Sequence, residues 1–354
     1  GMGANTTTDF NTFRRAAGRL VDVRSPGEYQ QGHWPGAINI PLFSDEQRAE
    51  VGTTYKQQGR HQAVELGLEL VGPALGSLAR ALKKAAADAT ALRIYCWRGG
   101  MRSNSMAWLA TQVDLKPLVL EGGYKTYRRW VLEQCSRPWP VKLLGGRTGS
   151  GKTDLLLALA NRNVAVVDLE GLAHHRGSSF GGLGLPDQPT TEHYENRLVE
   201  ALDQHRHAGA QEIWLEAESA QVGRCRIPRD LFQQMQAAEV LEIRRSTEER
   251  GAQLVTVYGH QGGQQLADAT QRISRRLGPQ RTQSALEAIA SQDWATACRA
   301  MLDYYDRCYD HELARAEERR SIDLSGLDPE QSADQLLRDQ LISPLPEPKD
   351  GVHL

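Results

Sequence analysis

The stretch Gly146–Thr153, GRTGSGKT, constrains this chain more than any other: it fits G-x-x-x-x-G-K-T, with an apolar run, VKLLGG, before it and an amphipathic segment, KTDLLLALANR, after it. A loop of this kind requires a strand that hands over to a helix, so the surrounding sequence is expected to build parallel α/β structure. Gly146, Gly149, Ser150 and Gly151 let backbone N–H groups wrap a diphosphate. Lys152 would place a cation on its oxygens, and the Thr153 hydroxyl would ligate Mg²⁺. A glycine-rich turn alone would not need lysine and threonine in this register. The acidic partner of the metal is sought among Asp168, Glu216 and Glu218, which all end apolar runs; Glu216 in IWLEAES is the first choice.

Composition narrows the class. With 354 residues the chain exceeds one ordinary core, and two domains are expected. Its 42 basic and 44 acidic residues leave a formal charge of −2, so a polyanionic partner must be met by local patches. The five cysteines are scattered and form no CxxC pair, which argues against a disulfide framework or a zinc site. No apolar run approaches the ~20 residues a membrane helix needs, and the N-terminus lacks a signal pattern. A cytoplasmic protein without a membrane partner is the expectation.

Strand and helix patterns alternate twice. GRLVDVRSPGEYQQGHWPGAINIPL reads as strand, loop, strand; GPALGSLARALKKAAADA as helix; ALRIYC as strand; RSNSMAWLATQ as helix; PLVLEGGY as strand. After the proline-bearing CSRPWP, strands recur at VKLLGG, VAVVDLE, EIWLEAE and VLEIRR, and a helical region follows from about residue 246 to 320. The expected domains are 8–135, a linker at 136–140, 141–325 with a helical C-terminal part, and a loosely packed tail at 326–354.

A second anion site is expected at YCWRGGMRS. Cys96 ends a strand, and Gly99 and Gly100 let the chain curl its N–H groups inward before a helix beginning near Arg102 or Ser103. These donors, with Arg98 and Arg102, would stabilise a Cys96 thiolate as a nucleophile; the competing reading is a small buried hydrophobe. Asp22, Arg24 and Glu28 read as a network shaping that loop rather than as substrate contacts. DLEGLAHHRGSSFGG adds Asp168, His175, Arg176 and Ser178 as a substrate loop, because loops after parallel strands face the phosphate site. Basic clusters at Arg128 and Arg129 beside Trp130, at Arg224, Arg226 and Arg229, at Arg244 and Arg245, and at Arg272, Arg275, Arg276 and Arg281 suit nucleic-acid contact or solvation alone.

DVRSPGEY, GHWPGAINIP, the cysteine loop and LEGGYKTYR resemble a rhodanese domain in the family's order. Five residues separate Cys96 from Arg102, where such loops have four, a spacing that suits a tetrahedral oxyanion; Tyr95 stands where a cysteine phosphatase would have histidine. With VGTTYKQQGR, LGLELVG and DLEGLAHHRGSSFG the chain from about residue 8 to beyond 320 resembles the tRNA 2-selenouridine synthase family, although Ala220 follows Glu218-Ser219 where a polar residue is expected. The resemblance implies a rhodanese-like parallel-sheet domain followed by a P-loop NTPase-like α/β domain. It also implies replacement of sulfur by selenium in 2-thiouridine at the wobble position of bacterial tRNA. Geranyl diphosphate and selenophosphate would be co-substrates, the latter supplied by a partner enzyme. Geranyl diphosphate would take the Lys152 loop and selenophosphate the Cys96 loop. Occupancy of the Lys152 loop by ATP, and a perselenide on Cys96 against direct attack by selenide, stay open. So do a kinase–phosphatase fusion acting on a small molecule and a nucleotide-gated tRNA-binding module.

Overall fold

The computed structural model describes residues 6–175, 185–258, 263–313 and 319–348. The chain divides into two compact units, Gly1–Gln134 and Cys135–Leu354.

The first unit holds an all-parallel sheet ordered β1-β5-β4-β2-β3, where β1 is Thr7–Thr8, β2 Arg19–Asp22, β3 Ile38–Asn39, β4 Ala91–Tyr95 and β5 Lys116–Leu120. Period-two alternation in β4 sorts its side chains to opposite faces. Leu92, Ile94 and the following Cys96 share a core with Leu82, Met106 and Ala110 of helices Leu75–Ala86 and Met101–Gln112. Tyr95 instead meets Trp34 and Tyr124, and Trp34 stacks on Tyr127 at 4.3 Å. One face of the sheet is therefore aliphatic and the other aromatic. Two helices that the sequence did not announce, Asp45–Gln58 and Arg60–Val71, follow β3 and pack against each other.

The second unit repeats the principle with order β12-β11-β6-β8-β7, all parallel: β6 Val141–Gly146, β7 Val166–Val167, β8 Ile213–Glu216, β11 Val240–Arg244 and β12 Arg319–Asp323. A small antiparallel pair, β9 Gln221–Val222 and β10 Cys225–Arg226, follows β8. Leu143, Leu215 and Val240 face one core with Tyr194, Leu198 and Met235, while Leu144, Trp214, Leu241 and Ile243 face another with Leu155 and Leu159. A separate helical core gathers Leu254, Leu277, Ile289, Met301 and Tyr305.

Two expectations need correction. β12 lies where the helical region was expected to end, because RRSID has too few apolar residues to signal an edge strand. The tail is not loose: Ala333 and Leu336 of helix Pro329–Arg338 and Ile342 are fully buried against the Leu155 side of the sheet. Arg162 to Asp334 at 2.6 Å and the Leu345 N–H to Asn163 carbonyl at 2.7 Å fasten it further. The segment read as a linker is also fastened to the second unit: Trp139 is buried under the Arg206 guanidinium, and Ser136 donates to Asp230.

Candidate functional site

In the first unit the end of β4 delivers Cys96 into the base of the following loop. The residue is 3% exposed, its thiol donates to Ser103 Oγ at 3.2 Å, and the Gly100 N–H points at Sγ from 3.4 Å. Ser103 in turn donates to the Gly100 carbonyl at 3.1 Å. Glycine is required where two backbones touch: a Cβ on Gly123 would lie 2.5 Å from the Cys96 carbonyl, and one on Gly99, at φ +74°, 2.8 Å from the Gly122 nitrogen. The LEGGY and RGG stretches therefore pack backbone to backbone, and the Tyr124 and Lys125 N–H groups bond the Cys96 and Trp97 carbonyls at 2.8 and 3.0 Å. Beyond Gly100 the space is open.

Arg102 departs from its expected place in the anion cradle. Its guanidinium grips Glu28 in two bonds of 2.7 and 3.3 Å, so its charge is already paired and its helix is tied to the 25–31 turn. Burial pushes the Glu28 carboxyl up, but hydrogen bonds and charge from Arg102 outweigh it and hold the group below its ordinary range. Asp22 and Arg24 form a buried bidentate pair, with Arg24 capped by the Gly32 carbonyl at 2.7 Å and lying over the Tyr124 ring at 4.0 Å. Asp22 and Arg24 therefore form the expected ion pair, which ties the end of β2 to the Gly32 carbonyl and the Tyr124 ring.

In the second unit Gly146 closes β6 and helix Lys152–Ala160 begins at Lys152. Gly149 and Gly151 sit at φ +83° and +77°, and a Cβ on Gly149 would meet the Arg250 carbonyl at 2.5 Å. Two arginines hold the loop from outside: Arg245 donates to the Ser150 carbonyl at 2.8 Å and Arg250 to the Thr148 carbonyl at 3.0 Å. Within the loop the Ser150 N–H bonds the Arg147 carbonyl at 3.0 Å, so the turn is closed on itself as well as braced by the two arginines. Arg250 is held by Asp306, and Arg147 by Asp310 at 2.8 Å.

Beside this loop three carboxylates converge. Glu170, Glu216 and Glu218 bring oxygens within 4.8 Å of one another. Glu216 Oε1 accepts the Glu170 N–H at 2.7 Å, and its buried Oε2 has no hydrogen-bond partner among the described residues. Burial, then the charges of Asp168 and Glu170, push the Glu216 carboxyl well above its usual value. Burial and a hydrogen bond to Glu170 do the same to Glu218, against the opposing Lys152 cation. An all-oxygen, mutually repelling set with an orphaned buried oxygen fits a hard cation such as Mg²⁺. Glu170 was not anticipated, since it follows β7 by a short helix rather than ending a strand. Asp168 serves that helix as its N-cap, accepting the Gly171 N–H at 2.9 Å.

His175 lies over Gly223, where a Cβ would meet its ring at 2.6 Å. Burial pushes it below its ordinary pKa; Glu170 opposes that and Arg272 reinforces it. His174, at φ +51°, bonds the Asp187 carbonyl at 2.9 Å. Arg176 and Ser178 lie outside the described residues. Of the basic clusters, Arg129, Arg224, Arg272, Arg275 and Arg276 are exposed and Arg128 is half-buried. Arg245 is not free for nucleic acid: besides Ser150 it holds the Leu324 and Leu327 carbonyls, both at 2.8 Å. Sequence reading missed Arg250 and Asp306, which reach the loop from helices Thr247–Tyr258 and Trp294–Leu313 with no local motif to mark them.

Residues 139–334 match the tRNA 2-selenouridine synthase AAA domain and residues 9–129 the rhodanese-like domain. A tRNA 2-selenouridine synthase of Marinobacter nauticus is 36% identical over 334 residues, covering 84% of this chain and 89% of the relative. That of Bordetella petrii is 35% identical over 354 residues, with 88% and 92% covered. No described helix is long and apolar enough to cross a membrane. Two parallel-sheet units with a glycine-rich loop at a strand end of each, matched along most of the relatives' length, place the chain in the tRNA 2-selenouridine synthase family.

Proposed function

We propose that this enzyme replaces the sulfur of 2-thiouridine at the wobble position of tRNA by selenium in two consecutive reactions, one on each anion loop. In the first, the thiocarbonyl sulfur attacks C1 of geranyl diphosphate, the C–O bond breaks, and diphosphate leaves while the base gives up its N3 proton. The loop from Gly146 to Thr153 binds the diphosphate, with Lys152 countering the charge that develops on the leaving oxygens. Glu170, Glu216 and Glu218, with Thr153, would hold Mg²⁺, which when bound supplies further charge to those oxygens.

In the second reaction selenide adds to C2 and geranyl thiol departs, a far better leaving group than the original thiocarbonyl sulfur. Selenophosphate already carries selenium at the selenide level, so a Cys96 perselenide would need an oxidant. The balanced step for a Cys96 thiolate is attack on phosphorus, which forms S–P, breaks Se–P and releases selenide; water then clears the phosphoryl group. The observation that carries this reading is the pairing of a thiol cradled by the Gly100 N–H and Ser103 with a separate lysine-bearing diphosphate loop in one chain.

The test is incubation with thiolated tRNA, geranyl diphosphate and selenophosphate, each omitted in turn, followed by mass spectrometry of the nucleosides. Cys96→Ala is expected to keep geranylation and lose selenium, and Lys152→Ala to lose geranylation by at least ~100-fold. The opposite partition would reverse the two assignments. ATP hydrolysis or phosphatase turnover independent of tRNA would support a kinase–phosphatase fusion instead.

A further inference from the structure

The Cys96 loop has a second side that the two-step chemistry does not use. A cavity of about 470 Å³ opens there, lined by Arg98, Lys125 and Arg129, by Thr126 and Gly122, and by Phe10, with the carboxylates of Asp9 and Glu121 beside them. It lies on the aromatic side of the sheet: Phe10 packs on Trp34 and Tyr127, whereas Cys96 belongs to the aliphatic core with Met106 and Ala110. Arg98 of the Cys96 loop lines this cavity.

The cavity has the chemistry of a phosphate site. Three cations meet two carboxylates, one of which, Asp9, also caps helix Phe10–Arg15 and accepts the Thr12 N–H at 2.8 Å. The Tyr124 and Lys125 N–H groups are consumed by the Cys96 and Trp97 carbonyls, so the attraction for an anion comes from side chains. Its volume falls in the range of small-ligand pockets, ~300–1,000 Å³, and exceeds what one oxyanion fills. Phe10, partly exposed, adds an aromatic surface to the wall. A nucleotide unit has the matching parts: a phosphate for the cations and a flat apolar portion for the ring.

We propose that this cavity seats one nucleotide of the tRNA, its phosphate held by Arg98, Lys125 and Arg129, and thereby registers the strand against the Cys96 loop. The inference rests on the tRNA reading above and adds where in the first unit the RNA is gripped. Because the Lys125 N–H and the Trp97 carbonyl are bonded at 3.0 Å, the same backbone contact fixes the cavity and the sulfur loop together.

The test uses the full chain with fluorescently labelled 2-thiouridine tRNA, titrated over a salt series, comparing wild type with the double variant Lys125→Ala/Arg129→Ala. Both residues are exposed, and a Lys125→Arg/Arg129→Lys control reports on folding. The double variant is expected to bind about 10-fold more weakly at moderate salt, with the slope of log K against log salt shallower by about 1.5 to 2; the control should retain binding. Unchanged affinity and slope would overturn the proposal. So would a defect confined to the half-saturating concentration of selenophosphate, which would make the cavity a donor site. Wild-type protein that forms no selenouridine refutes the broader tRNA reading, whereas normal selenouridine formation with undiminished variant binding refutes the cavity assignment alone.

Discussion

At the scale of single residues the sulfur loop is held by two different devices, and each makes its own prediction. Gly123 is a steric requirement, because its missing Cβ lets the Cys96 carbonyl approach to where that atom would lie 2.5 Å away; Gly100 faces open space. Gly123→Ala should therefore cost about 2 kcal/mol or more of stability and abolish selenium transfer, whereas Gly100→Ala should fold nearly normally. Thermal melting with nucleoside analysis separates the two. The Glu28–Arg102 pair is electrostatic. With the folded pKa of Glu28 below its ordinary 4.5, its contribution is complete above that value and is lost as pH falls through the folded pKa. Glu28→Gln should destabilise the chain by on the order of 1–3 kcal/mol at pH 7. The gap in melting temperature between the variant and wild type should close towards pH 4 and below.

Elements determine where those residues can act. Parallel strands put both loops at carboxyl-terminal strand ends, where a helix begins. In the second unit the loop also depends on elements far away in sequence, since Arg245 follows β11 and Arg250 and Asp306 sit on later helices. Arg250→Ala should therefore weaken geranyl diphosphate binding about 10-fold without touching the ligand, read by calorimetry, and also lower the melting temperature, because it leaves Asp306 without its Arg250 partner. The motif Gly146–Thr153 was legible because its conformation is local: glycine φ angles and a lysine at a helix start are set within one turn. Glu170 and the arginine braces were not, because only the folding of the sheet brings them to the loop.

Across the molecule, each unit carries its own sheet and its own core. The segment after Gly326 completes the second unit: Ala333, Leu336 and Ile342 are fully buried against Leu155 and Leu159. Deleting residues 327–354 should lower the melting temperature of that unit by 10 °C or more, on the estimate that about 2–5 kcal/mol is lost with each large buried side chain. A truncated chain that melts like wild type would refute that packing. The sequence by itself determined the α/β class and the place of a glycine-rich strand-to-helix loop in each unit, because strand period, glycine torsions and loop spacing are properties of a few neighbouring residues. Tertiary structure alone decided that Arg102 is paired with Glu28, that Arg98 lines a cavity with Lys125 and Arg129, that Glu170 joins Glu216 and Glu218, and that the tail is core. Charge pairing and burial depend on which distant segments the sheets bring into contact, and no local pattern encodes that.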